Sequence, residues 1–274
     1  MGNLFDRVAE FLYGDPANID TKLVGLRMNF KIKKNSGLLG NTCKVLIYNV
    51  NKDTEADILE SEKLTGVLQV GYGTDVDTIF SGNFTRKKII FQGTDKIAEI
   101  DLSDGNEALK KTIFLKSYEK NIKFSTILSD IESLIKDKAN ALITTFKGLD
   151  DKPVLNGITF NGDVEKALRK IIGEQSGLEA SFQNNSLQII KREETVDSDP
   201  VFLSPETGLV GSPVPTKNGG LEAIALIIPG LDPGKLTVME SRNYSGNYKI
   251  LTAEITGDNF EGNKWFNKMN LIPV

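Results

Sequence analysis

The sequence predicts a mainly β protein with an α+β insertion: two antiparallel β-barrel domains flanking a small α/β domain. Three observations carry that reading. Val24, Leu26, Met28, Phe30 and Ile32 alternate with Gly25, Arg27, Asn29, Lys31 and Lys33, the period of two that marks a half-buried strand. Short strand-like runs separated by Gly-, Asn- and Asp-rich turns recur in the first and last thirds of the chain. Between them, Phe124, Ile127, Leu128, Ile131, Leu134 and Ile135 follow helical spacing.

Taken in order, residues 1–20 read as an N-terminal helical arm. Leu4, Phe5, Val8, Phe11 and Leu12 form one stripe, stopped by Gly14-Asp15-Pro16. A helix this short is marginal alone, so it docks either on its own domain or on a neighbouring subunit. Residues 21–109 form the first barrel, with strands at 23–33, 44–49, 67–72, 78–82, 87–92 and 96–102. Residues 110–192 are the inserted unit. Ser125 is placed to cap its first helix, and Asp163 opens a second carrying Val164, Ala167, Leu168, Ile171 and Ile172. Two strands, 178–183 and 186–191, meet across Asn184-Asn185. Residues 193–274 form the second barrel, with strands at 221–228 and 235–240 joined through a Pro/Gly-rich turn and a closing hairpin of 248–256 with 265–271. The same order also suits one barrel interrupted by an insertion, because loop-closure entropy grows slowly with insert length.

Composition excludes more than it includes. The chain has 274 residues, 39% apolar and 26% charged, enough to bury a core. Its formal net charge of -4 leaves no basic surplus for tight nucleic-acid binding. No apolar run reaches membrane-span length and no signal-peptide pattern opens the chain, so cytosolic synthesis and no stable membrane association are expected. Cys43, the single cysteine, sits in strand-like sequence and reads as a small buried hydrophobe. The sequence contains no histidine, which removes Ser-His-Asp and Cys-His mechanisms and the usual zinc sites. Gly71-Tyr72-Gly73 is only a fragment of a phosphate-binding loop and reads as a strand-ending turn. What survives is carboxylate chemistry, for which Asp75 with Asp77, or Asp150 with Asp151, would be the candidates. Both pairs lie in polar, turn-like sequence where solvated loop acids are expected. Hence no catalytic residue, cofactor or metal is assigned.

Several phrases, in order, resemble the baseplate hub family of contractile-tail bacteriophages. They are Leu26-Arg27-Met28-Asn29-Phe30, Val45-Leu46-Ile47-Tyr48-Asn49-Val50, Val70-Gly71-Tyr72 with Ile79-Phe80-Ser81-Gly82, and Ile100-Asp101-Leu102-Ser103-Asp104-Gly105. Nearer the C-terminus come Thr207-Gly208-Leu209-Val210-Gly211-Ser212-Pro213, then Ile228-Pro229-Gly230-Leu231-Asp232-Pro233-Gly234, then Tyr248-Lys249-Ile250 and Trp265-Phe266. Ile228 departs from the family's asparagine and Phe266 from its tyrosine. The resemblance implies two tail-tube-like barrels per chain in a homotrimeric hub, a structural protein rather than an enzyme. Such a ring joins the hexameric tail tube to the trimeric spike and surrounds the channel used by the tape-measure protein and, transiently, DNA. Its implied partners are the tail tube protein, the spike protein, the tape-measure protein and baseplate wedge proteins. It is assembled in the host bacterial cytoplasm and resides in the virion.

A mildly acidic channel wall would then repel phosphate. Two turns are candidate interaction loops: Gly208, Leu209, Val210, Gly211, Ser212 and Pro213, then Pro229, Gly230, Asp232, Pro233 and Gly234. Ordinary barrel turns are the plainer reading of both. Three other functions compete: a distal tail or tip protein of a non-contractile phage, a hub-associated peptidoglycan-degrading enzyme, and a carbohydrate-binding β protein. The last would expose aromatics on one face, whereas Trp265 falls in the expected closing hairpin.

Overall fold

A computed structural model describes residues 6–274 except 17, 63, 105, 140–142, 147–150, 152, 175–176, 197–198, 261 and 263. The chain opens with strands β1 (Arg7–Asp15) and β2 (Asn18–Leu23), which corrects the helical arm expected over residues 1–20. Leu4 and Phe5 lie outside the described residues. From Ala9 onward the pattern is that of a strand: Ala9, Phe11 and Tyr13 point inward and are almost wholly buried, while Glu10 and Leu12 are half-covered. An apolar run this short satisfies both periods, and pairing with strands on both edges decides it.

The alternating run becomes β3 (Met28–Asn35), followed by β4 (Thr42–Tyr48). A helix that the apolar pattern did not signal, α1 (Lys52–Glu60), starts at Asn51, whose side chain accepts a hydrogen bond from the Thr54 amide. Next come β5 (Thr65–Tyr72), β6 (Asp75–Gln92) and β7 (Asp95–Ser103). The two strands expected at 78–82 and 87–92 are one 18-residue strand, bent by a bulge near Phe84. Its first half pairs with β5 and its second half with β7.

The middle of the chain comprises α2 (Asn106–Lys111), β8 (Ile113–Tyr118), β9 (Ile122–Lys123), α3 (Phe124–Ala139), β10 (Ile143–Phe146), β11 (Pro153–Val154), β12 (Ile158–Asp163), α4 (Val164–Glu174), β13 (Leu178–Gln183) and β14 (Ser186–Lys191). Asp163 caps α4 as expected, accepting from the Lys166 amide. Ser125 does not cap α3, which already begins at Phe124; Asp151 Oδ1 instead accepts from the Ser125 amide. The β13–β14 hairpin forms as read, with Asn184 and Asn185 both at positive φ.

The chain ends in β15 (Val201–Leu203), β16 (Leu209–Pro215), β17 (Leu221–Leu226), β18 (Leu236–Glu240), β19 (Ser245–Asp258) and β20 (Trp265–Pro273). Among the described residues thirteen strands make one sheet along the path β16-β17-β20-β19-β3-β4-β7-β6-β5-β1-β2, with β18 joined to β19 and β15 to β18. The pairing β3–β19 brings the first and last thirds of the chain into a single hydrogen-bonded sheet. β19 manages this because its first half pairs with β18 and its second half with β3, while β20 runs along the other edge.

Among the described residues three apolar cores result. One gathers Phe11, Phe30, Phe80 and Leu102 from the N-terminal strands with Ile227, Ile255 and Trp265 from the C-terminal ones. Trp265 Nε1 donates to Tyr72 Oη at 3.0 Å, and its ring meets Phe30 edge-on with centroids 5.6 Å apart. A second core fills the α/β unit, and a third lies among the C-terminal strands.

Candidate interaction surfaces

The register assigns the outward side of the sheet row by row from β17 to β6. In one row Ile224, Lys268, Glu254, Lys33, Thr42 and Ser103 lie side by side; in the next come Leu226, Phe266, Thr256, Lys31, Lys44, Asp101 and Arg86. The opposite side of the same strands holds the buried core. The charges are mostly paired: Lys31 with Glu254 at 2.6 Å, Lys268 with Glu222 at 2.9 Å, and Glu99 with both Lys44 at 2.9 Å and Lys88 at 3.2 Å. Hydrogen bonds from those two ammonium groups, Lys44 first, hold the Glu99 carboxyl below the usual glutamate range against the opposing pull of burial. Lys33, Arg86 and, opposite it, Asp101 stand in no ion pair among the described residues, and basic side chains outnumber acidic ones on this face. A shallow groove of about 470 Å³ crosses it between Lys31, Lys33, Lys44, Thr85 and Asp101.

At the C-terminal end this polar face gives way to an apolar edge. Val210 and Val214 on β16 are 47% and 58% exposed, beside Ile224 and Phe266. The first candidate loop is not a turn: Leu209 to Pro213 belong to strand β16, held by pairing with β17, with Gly208, Leu209 and Pro213 buried and Val210, Gly211 and Ser212 facing outward. Gly211 has φ of 70°, and the register breaks between Val210 and Val214, so β16 bulges. Pro213 and Pro215 also withhold two amides, which blunts the edge against open-ended strand pairing. The second half of β6 is the other free margin of this band. Among the described residues it pairs only with β7, and next to its end stands Phe91, which is 74% exposed.

The second candidate loop is turned the other way. Pro229 and Gly230 are half-covered, but Leu231, Asp232, Pro233 and Gly234 are buried, so most of that turn is not a surface loop. Asp232 Oδ1 instead receives a 2.6 Å bond from Lys34, whose side chain is wholly enclosed. Lys34 also donates to Asn184 Oδ1 at 3.0 Å. Beside it, Asp104 accepts from the Asn41 amide at 2.8 Å, Asn41 Nδ2 at 3.0 Å and the Asn184 amide at 3.0 Å. Burial pushes the Asp104 carboxyl above its ordinary range, only partly offset by these bonds and by Lys34. A second enclosed cation, Lys249, bonds to Glu179 and to the Arg192 carbonyl at 3.1 Å. Apolar patterning could not have found Lys34 or Lys249, because a lysine on an alternating strand reads as solvent-facing; the double lysine Lys33-Lys34 was the one local irregularity.

The carboxylates considered for catalysis do not form a centre. Asp75 and Asp77 are exposed on β6, Asp77 accepting from the Thr78 amide, and Asp150 lies outside the described residues. Asp151 is occupied with the start of α3. Burial pushes the Cys43 thiol far up, consistent with a packing role. Among the described residues no cluster of three or more metal-ligating side chains has metal-site geometry. A second groove of about 450 Å³, lined by Asp15, Asp20, Asp57 and Glu62, is acidic and lies between the β1–β2 hairpin and α1.

No protein-family model and no curated protein matches the sequence. Solved structures match the fold. An E. coli component of the type VI secretion system, described as structurally similar to the T4 bacteriophage tail proteins gp27 and gp5, superposes with a TM-score of 0.61 at 10% identity, covering 90% of this chain and 73% of that one. A tail protein from Neisseria meningitidis gives 0.63 at 9% identity over 97% and 96% of the two chains. A 43 kDa tail protein of a Shewanella oneidensis prophage gives 0.62 at 9% identity over 96% and 98%. The chain thus has the mainly β fold of these tail and type VI secretion proteins, with one large, predominantly antiparallel sheet and few helices among the described residues.

Proposed function

We propose that this chain is a structural subunit of a phage-tail baseplate hub, a trimeric ring that joins the tail tube to the spike around the axial channel. The observation that carries the reading is the band from β16 to β6: a sheet face that is apolar at its β16 edge and polar from β19 to β6, unbroken across the β3–β19 seam, on the fold shared with tail proteins. A polar, internally ion-paired wall offers a passing polymer few unmatched charges and no apolar grip. It is weakly basic rather than acidic, contrary to the expectation from net charge. The two margins of the band are unlike: a bulged, proline-bearing β16 and the open half of β6. Contact between unlike surfaces is head-to-tail, and with the right rotation such contacts close into a ring.

The apolar β16 edge supports contact with a neighbouring subunit or partner, whereas the 229–234 turn, apart from Pro229 and Gly230, has an internal role. The test is assembly. Mixed with the tail tube and spike proteins, the wild-type chain is expected to enter a complex holding three copies. Val210→Glu with Val214→Glu is expected to keep the wild-type melting temperature and lose assembly. Normal assembly of that variant would remove the β16 edge from the account, and a complex with one or two copies would remove the ring.

A further inference from the structure

The apolar cores divide the molecule unevenly. The N- and C-terminal strands share one core, in which Ile227, Ile255 and Trp265 pack with residues of β1 to β7. The core of residues 106–191 is separate, and among the described residues only Leu38, from the β3–β4 loop, reaches into it from the sheet. Among the described residues, much of what joins this unit to the sheet is hydrogen bonds and one buried ion pair.

Those bonds converge on one hairpin. At its turn, Asn184 takes Lys34 Nζ on its side chain and gives its amide to Asp104. Asn41 Nδ2 reaches the Phe182 carbonyl at 2.6 Å and Gln183 Oε1 at 3.0 Å, while Gln183 Nε2 returns to the Asn35 carbonyl at 2.8 Å. At the base of the hairpin, Lys249 from β19 holds Glu179 of β13. Each of these partners exchanges its bond for one to water when the junction opens, and the buried lysine and carboxylate recover hydration then. Opening within an apolar core recovers nothing comparable. A polar junction therefore favours one docked geometry while making separation inexpensive relative to melting either side.

We propose that the α/β unit is a movable module that swings off the sheet as one body when this polar latch opens, with the Lys249–Glu179 pair as its main restraint. Spin labels on Lys166→Cys in the unit and Lys44→Cys on the sheet report the motion by the distribution of distances between them; Cys43 is buried and stays unlabelled. Lys249→Met leaves Glu179 without its cation and is expected to raise the long-distance population roughly ten-fold or more over wild type. A pair within the unit, Lys136→Cys with Lys166→Cys, is expected to keep its distance. Should Lys249→Met fail to fold, urea below the main unfolding transition gives the same comparison in the wild-type background. An inter-unit distance that stays single until both sides melt together overturns the proposal. So does a within-unit distance that broadens alongside it, since the unit would then be unfolding rather than swinging.

Discussion

Lys34 shows how far a single side chain is from the role its neighbours suggest. It lies on a strand whose other lysines face water, yet it is enclosed and bonded to Asp232 and Asn184. Removing one member of such a pair strands the other charge, so Lys34→Met and Asp232→Leu are each expected to cost about 3–5 kcal/mol. The double variant is expected to cost clearly less than their sum, because no charge is left unpaired. Urea unfolding of the three variants measures this; additive losses would mean that the two side chains do not act as a pair. Glu99 makes the opposite kind of contribution, visible in pH. Its folded pKa lies below the ordinary glutamate value, so its stabilisation is present above that value and is lost as pH falls through the depressed one. Glu99→Gln is therefore expected to flatten the fall in melting temperature below about pH 4.5. Parallel curves for wild type and variant would contradict the assignment.

Among the elements, β19 passes close to the aromatic core at one glycine. Gly257 lies against Phe30, and a Cβ built there falls 2.1 Å from the ring. Gly257→Ala is expected to destabilise by about 1–3 kcal/mol through overpacking. A thermal shift within error of zero would mean the ring has room to move. Elements defined by local signals were readable in sequence: the β13–β14 hairpin from Asn184-Asn185, α4 from Asp163, and the β19–β20 hairpin from its apolar runs. What escaped reading depends on distant partners. β1 is a strand because β5 and β2 pair with it, not because of its own spacing. β9 and β11 are two residues each, too short for any periodicity. Residues 229–234 form the turn expected of them, whereas 209–213 belong to strand β16, whose bulge takes up Gly211. Proline and glycine mark irregular backbone without fixing whether the chain turns or which way it faces, so residues 210–212 lie on the surface while 231–234 are buried.

On the scale of the whole molecule, the seam β3–β19 is the feature most relevant to assembly, since it makes one band out of segments more than two hundred residues apart in sequence. No local pattern announces such a pairing; the element order left open one barrel interrupted by an insertion, while the likeness to hub proteins implied two separate barrels. If the chain works by shape, the purified protein is expected to leave cell-wall substrate intact in a zymogram. Clearing that disappears when Asp75 and Asp77 are both replaced by Asn would establish the competing lytic function. The most direct test of the central claim is a cryo-electron microscopy reconstruction of the assembled tail in which this chain carries a bulky C-terminal tag. The account requires three tags evenly spaced around the axis between tube and spike. Tags off the axis, or in a number that is not three, would contradict it.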